Sequence, residues 1–525
     1  MKKIPILLLL LGPLITFSSC QTGPKVIVSP IELAEYSVKI READELYATG
    51  TYTNLKAALG VYQRLSSFPA FPLKTKEKLL KTALLLSLRA KELAILDTSY
   101  VEIAEQLIRS VTQLSIYKPY LEASKAIANS SRGANMSDVS GDSDLDKYFD
   151  WVVDNISSLH AEFRKKAPIS PFYAYFYISL YESFEHWIKE KADFGRLKAS
   201  FARSPLIQYR LALFPELDAD SLTSLRALYP DFIESTYALG EYSLKSGKTL
   251  TAEKYFLEAF QSFPESTALI MALTKVYFAL EELDKCLELN LQALNRAPRY
   301  RDALMGKAVC LSFLNRHEEA VEACAHLLEL GNYYMGEAHY WKSWNLKDLG
   351  RLDEAWENIE TAKKYLIGHH EVFFLSGVVA FNQKNIKVAE ENFKEALKLN
   401  SGYCEAAYYL GQIYSIQDRW KESGSSFEKS ALCSQSQEAA LRETIEDIEQ
   451  STLSRERKDK RIERKKKQLV QVRLTKATSF FNGAASLYNA ELFSKARAMA
   501  KKAAEHPNFT KQARDLLEQI RLKIN

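Results

Sequence analysis

The sequence predicts an all-α fold: an α-solenoid of stacked helix-turn-helix units with a helical N-terminal domain. Three observations carry that prediction. Between Ile233 and Gln437 small residues recur every 34 positions, with a single extra residue inserted once. One row holds Gly240, Thr274, Ala308, Ser343, Gly377 and Gly411. Twelve positions on stand Ala252, Cys286, Ala320, Ala355, Ala389 and Ser423, and seven further Ala259, Ala293, Leu327, Ala362, Ala396 and Ser430. Rows of small side chains let two helix backbones approach closely, and a period of this length marks a solenoid. The second observation is the turn, seven positions after the first row, at Gly247, Glu281, Asn315, Gly350, Lys384 and Asp418. Gly and Asn there suit the left-handed residue that ends a helix. The third is the residue between the two later small rows: Phe256, Asn290, Cys324, Ile359, Phe393 and Phe427. Pro264 and Pro298 close the second helix of the first two units, because proline cannot continue a helix.

In chain order, residues 1–19 read as an export signal. Lys2 and Lys3 precede an apolar run, Ile4 to Ile15, that is too short to span a bilayer. Phe17-Ser18-Ser19-Cys20 resembles a bacterial lipoprotein signal box. That resemblance implies cleavage before Cys20 and its acylation, palmitate included, so that residues 20–29 form a lipidated tether. Two or more acyl chains hold a protein stably at a membrane. Residues 30–230 read as an N-terminal helical domain of degenerate repeats. Ala48 to Phe68 is unit-like, Lys74 to Leu114 suggests two packed helices, and residues 129–146 form a polar loop dense in Ser, Asp and Gly. Tyr173, Tyr177, Tyr181 and Phe184 share one face of an aromatic helix, a pattern expected of core. Six units then occupy 233–437. Residues 438–476 are a charged helical linker, and 477–525 a degenerate seventh unit (Gly483-Ala484, Ala496, Ala503) with a capping helix.

The run Leu239-Gly240, Gly247, Ala252, Phe256, Ala259 and Pro264 resembles the tetratricopeptide repeat (TPR), and the likeness extends over all six units. The resemblance implies a groove lined by the first helix of each unit, with the position three before the first small row facing it. That position holds Tyr237, Met271, Met305, Tyr340, Phe374 and Tyr408. Trp344 stands four positions beyond Tyr340 on the same face, and an acidic row precedes the ladder at Glu234, Asp302, Glu337, Glu371 and Glu405. The functional reading is an apolar floor with an acidic margin, suited to a peptide combining hydrophobic anchors with Lys or Arg. The competing reading is packing between neighbouring first helices, with acids placed to favour helix N-termini.

Mature composition is near neutral, 68 basic residues against 66 acidic once Lys2 and Lys3 are removed, which argues against nucleic acid as partner. The five cysteines beyond Cys20 have no C-x-x-C spacing, and core cysteines are expected rather than a disulfide or metal framework. Arg455, Arg457, Lys458, Lys460, Arg461, Arg464, Lys465, Lys466 and Lys467 form a basic patch. It reads either as a solvated helix with pairs such as Glu456–Lys460 and Glu463–Lys467, or as a contact for anionic lipid or polysaccharide. A contact with the chain's own acidic margin is a further reading of the same run. Neither G-x-S-x-G, H-E-x-x-H nor a phosphate-binding loop is present, and the adjacent His369 and His370 point apart on a helix. No enzyme activity, cofactor or metal is expected. The expected role is a lipoprotein anchored in the bacterial cell envelope, the outer membrane favoured, whose groove docks another envelope protein during assembly or transport. The alternatives are a surface adhesin for acidic polysaccharide or host components and an apolar-ligand carrier.

Overall fold

The computed structural model describes residues 30–66, 72–95, 97–129, 145–188, 194–214, 217–331 and 334–524. The expected export signal (1–19), Cys20 with the expected tether to residue 29, and residues 130–144 of the expected polar loop lie outside them. Every regular element among the described residues is a helix, and none is long and apolar enough to cross a membrane. The chain divides into two compact bodies. One comprises residues up to Tyr242 with Glu258–Ala268; the other comprises Ser243–Leu257 and everything from Leu269.

The first body begins with α1 (Pro30–Thr49), α2 (Tyr52–Ser66), α3 (Leu73–Glu92), α4 (Ser99–Ser110) and α5 (Lys118–Asn129). It continues with α6 (Leu145–Lys166), α7 (Pro171–Phe184), α8 (Gly195–Ser200), α9 (Pro205–Leu213) and α10 (Ala219–Leu228). Helix α3 is exposed at Leu73 and Lys74 but buries Leu79, Leu80 and the unbroken run Thr82–Ala90 in its second half. The aromatic face of α7 is core. Tyr177 packs edge-on to Phe194 at 5.7 Å, Tyr181 to Phe214 at 5.9 Å, and Phe184 is fully buried. Beneath it lies a buried ionic network. Arg89 pairs with Glu92 and Glu234, Arg210 pairs with Glu92 and Glu182, and the Tyr175 hydroxyl donates to Glu92. The Arg89 guanidinium lies 5.3 Å from the Tyr209 ring and the Arg210 guanidinium 5.3 Å from that of Tyr175. Ions so placed hold one another in the charged state; removing one would strand its partner, at roughly 3–5 kcal/mol.

The array begins with α11 (Glu234–Lys245) and α12 (Thr249–Ser262), within which the division between bodies falls. Four pairs follow: α13 (Thr267–Ala279) with α14 (Leu283–Arg296), α15 (Arg301–Phe313) with α16 (His317–Glu329), α17 (Met335–Asp348) with α18 (Leu352–Tyr365), and α19 (His370–Asn382) with α20 (Ile386–Leu399). The sixth is α21 (Cys404–Ile416) with α22 (Trp420–Gln450). A seventh joins the end of α23 (Arg455–Asn489) to α24 (Phe493–Ala504), and α25 (Thr510–Ile524) caps the stack.

All eighteen small-row positions are buried. A Cβ added at Gly377 would lie 2.7 Å from the Phe393 ring, and one at Gly411 2.8 Å from that of Phe427. The large residue of the second helix therefore occupies the space vacated by the glycine of the first. Where the row carries serine, the hydroxyl turns the close approach into a hydrogen bond: Ser343 donates to the Ala355 carbonyl at 2.7 Å and Ser423 to that of Gly411 at 2.8 Å. All six turn residues have a left-handed backbone, Glu281 (φ 59°), Lys384 (64°) and Asp418 (57°) as well as Gly247, Asn315 and Gly350. Glu491 (60°) repeats the turn in the seventh pair. Each closes its helix with the same two bonds. Lys384 N–H donates to the Phe381 carbonyl and Asn385 N–H to that of Ala380, the Schellman arrangement that satisfies terminal carbonyls.

Residues 438–476 do not form a separate linker. The second helix of pair six continues unbroken to Gln450, and after a short turn α23 returns for 35 residues to open pair seven. Glu438 ties the two long helices together, accepting from Arg473 at 2.8 Å, Arg442 at 2.8 Å and Lys476. Burial pushes its carboxyl up, but the hydrogen bonds from Lys476, Arg442 and Arg473 outweigh that and hold its pKa at about 2. Nearer the array the helices approach through small polar residues, Ser423 to Ser486 at 2.9 Å and Ser430 to Ser479 at 3.2 Å.

Candidate inner-face docking site

Successive first helices of the array pack on one another, α15 on α17 and α17 on α19, whereas the described residues of successive second helices make no comparable contact. The first helices therefore form the closer-packed of the two layers, the layer that faces inward where such a stack curves.

On that side, much of the expected aromatic and Met ladder serves as packing. Met271 and Phe374 are buried. The Phe374 ring lies 4.9 Å from Tyr403, 5.8 Å from Phe393 and 5.9 Å from Tyr409, inside the cluster joining pairs five and six. Tyr408 packs on Phe427 at 5.5 Å, and Met305 against the Leu304–Leu327–Ala338 cluster. Tyr237 and Tyr340 are half-buried, and burial raises the Tyr340 hydroxyl pKa. Bulky side chains at this position bridge helices, so the open apolar floor expected there is corrected to a partly sealed one.

The acidic row also divides. Glu234 is 1% exposed; it lies in the ionic network with Arg89 and accepts from the Tyr52 backbone N–H at 3.1 Å, which removes it from any groove margin. Asp302 accepts from the Tyr334 hydroxyl, and burial raises its carboxyl pKa against the lowering effects of that bond and of Lys275. Glu337 and Glu405 are exposed, while Glu371 is half-exposed beside His370 Nδ1 at 3.2 Å.

The inner face nevertheless carries an apolar stripe, open at Phe278 and Phe313, which the sequence reading passed over, and continued by half-buried rings that include its Tyr340 and Trp344. Phe278 (39% exposed) meets Phe313 (54% exposed) at 5.7 Å, and Phe313 meets Trp341 at 5.7 Å. Trp341 in turn contacts Tyr340 at 5.4 Å and Trp344 at 6.2 Å, with Lys347 Nζ 4.7 Å above the Trp344 ring. Five rings thus run in contact across α13, α15 and α17. Phe278 and Phe313 stand four and five residues after the first small row, in the last turn of their helices. An aromatic there, where the helix ends against solvent, is the signal that could have found them.

The basic patch is largely spent within the chain. Arg457 reaches Glu253 at 3.0 Å and Glu282 at 2.6 Å, while Arg464 and Lys465 reach the Glu281 carbonyl and carboxylate. Lys460 pairs with Glu456 at 2.7 Å, Lys467 with Glu463 at 2.8 Å and Arg455 with Asp459 at 3.8 Å, and Lys458 donates to the Glu449 carbonyl at 2.8 Å. Arg461 is half-buried, and burial lowers its pKa. Lys466 is exposed.

The cysteines depart from expectation too. Cys286 on α14 is bonded to Cys310 on α15, and Cys404 on α21 to Cys433 on α22, with Cα–Cα separations of 6.7 and 5.4 Å. Cys286, Cys310 and Cys404 are buried as well as bonded, and among the described cysteines Cys324 alone is a free, buried thiol. The described residues contain no cluster of His, Cys, Asp or Glu able to hold a metal ion.

No family model matches the chain, and no curated protein matches it. Several solved structures are similar to it at low identity. The APC/C hetero-tetramer Cut9-Hcn1 is 14% identical, TM-score 0.42, with 93% of this chain and 94% of that chain covered. A tetratricopeptide repeat protein from Parabacteroides merdae is 14% identical, TM-score 0.35, with coverages of 55% and 98%. TTC0263 from Thermus thermophilus is 17% identical, TM-score 0.29, with coverages of 33% and 94%.

Proposed function

We propose, taking an α-solenoid of tetratricopeptide-type helix pairs as the fold of this chain, that it is a docking scaffold whose inner face holds a segment of another protein. The supporting observation is the five-ring stripe from Phe278 to Trp344. Apolar area left exposed on the inner side of a curved array is a surface shaped for association, and burying one such side chain contributes roughly 1.5–3 kcal/mol. The occupant is a polypeptide presenting apolar anchors, with basic residues beside them to meet exposed Glu337 and Glu405 and half-exposed Glu371.

In this reading the chain is a lipoprotein, acylated at Cys20 and held in the bacterial cell envelope, where it acts as a non-catalytic accessory in assembly or transport. Two disulfides accord with an oxidising compartment outside the cytosol. The test is photocrosslinking from position 313 in cells, followed by affinity measurement with the captured protein. Phe313→Ala with Trp344→Ala should weaken binding by about tenfold or more. A partner held equally well by that variant overturns the reading. Globomycin-sensitive labelling with a palmitate analogue, abolished by Cys20→Ala, tests the anchor separately.

A further inference from the structure

The helical period sorts the basic run into two faces. Arg457, Arg461, Arg464 and Lys465 stand at i, i+4, i+7 and i+8, one stripe of α23. Three of these four reach acids or a carbonyl more than 170 residues away in the sequence: Glu253 on α12, and Glu281 and Glu282 in the turn of pair two. Their side chains are sheltered, Arg457 26% exposed and Lys465 14%, whereas Arg455 and Lys467 on the outer face are 96% and 75% exposed and pair only along their own helix. Half-buried pairs are screened by salt far less than exposed ones. Within the hairpin, Glu438 and the serine seam bind α22 to α23, which are themselves the second helix of pair six and the first of pair seven.

Glu281 adds an independent observation. It occupies a left-handed turn position, φ 59°, where Gly or Asn fits without strain. Its side chain and carbonyl are the acceptors for Lys465 and Arg464. Lys384, Asp418 and Glu491 hold the same backbone in other pairs, so what sets Glu281 apart is that both its side chain and its carbonyl are taken up by α23.

We propose that the α22–α23 hairpin is an electrostatic latch: its inner basic stripe closes on the acidic edge formed by Glu253, Glu281 and Glu282, and thereby fixes the geometry of the inner face between pair two and pair six. The ligand of the basic run is thus this chain's own acidic edge. The latch is independent of the docking reading, since its closure is measurable without a partner.

Hydrogen–deuterium exchange on the full mature chain tests it. Arg457→Glu with Lys465→Glu should raise exchange in 455–467 about tenfold, with far-UV circular dichroism unchanged. Adding Glu281→Lys and Glu282→Arg should bring protection back. Reversal on the outer face, Arg455→Glu with Lys467→Glu, should leave exchange unaltered. Unchanged protection after inner-face reversal, no recovery on the charge swap, or an equal effect from the outer face would each overturn the latch. If the reversed chain does not fold, Lys465→Gln alone carries the test, with a smaller rise expected and none overturning the proposal.

Discussion

Lys384 and Gly377 stand seven residues apart and are constrained in opposite ways. Lys384 holds φ 64° in a turn closed wholly by backbone bonds, and its side chain is exposed. A left-handed backbone costs a residue with a Cβ about 1–2 kcal/mol. Lys384→Gly is therefore expected to raise the urea midpoint, by a stability gain of about 1 kcal/mol. Gly377 gains nothing from its freedom and everything from its lack of a side chain. Gly377→Ala would place a Cβ 2.7 Å from the Phe393 ring and should lower the midpoint, at a cost of about 1–3 kcal/mol. Both positions were legible in the sequence because close packing and left-handed backbone each restrict residue type. The inner face was less legible. Tyr340 and Phe374 share a row, yet one is half-buried and the other sealed, because a large side chain suits bridging two helices as well as facing a ligand.

Among the elements, the hairpin shows why charged stretches resist interpretation. A solvated linker and a latch have the same composition; only the register against distant Glu281 and Glu282 separates them. Disulfide pairing was hidden for the same reason, since separations of 24 and 29 residues acquire meaning only once the helices are placed. Reducing the chain should lower its melting temperature, and Cys404→Ala with Cys433→Ala should account for a loss of about 3 kcal/mol. Cys324 should resist alkylation until the chain is unfolded, because burial pushes its thiol up to about 12. Acid should loosen the hairpin in a defined window. The folded pKa of Glu438 is about 2 against an ordinary 4.5, so its contribution is complete above pH 4.5 and lost as pH falls toward 2. Glu390, likewise held at about 2 against burial by Lys394, Arg419 and Gln417, acts in the same direction. Glu438→Gln should flatten the midpoint-versus-pH curve over that range.

For the array as a whole, the open end sets the limit. Helix α25 buries Ala513, Leu516 and Ile520 against Ala496, Met499 and Ala500, and turns its charged face outward. A chain ending at 509 should expose that cluster and self-associate, seen as concentration-dependent mass in light scattering; a monodisperse truncated chain would show that pair seven needs no cap. Open stacks require such an end. The seven identical turn closures have a wider consequence. Because each is completed by main-chain groups, the joint inside each pair tolerates Gly, Asn, Asp, Glu or Lys, the non-glycine residues at a cost of only about 1–2 kcal/mol. Whole modules can then be duplicated, lost or retuned on their inner helix without redesigning the hinge, so the scaffold's reach is free to track the length of whatever it holds.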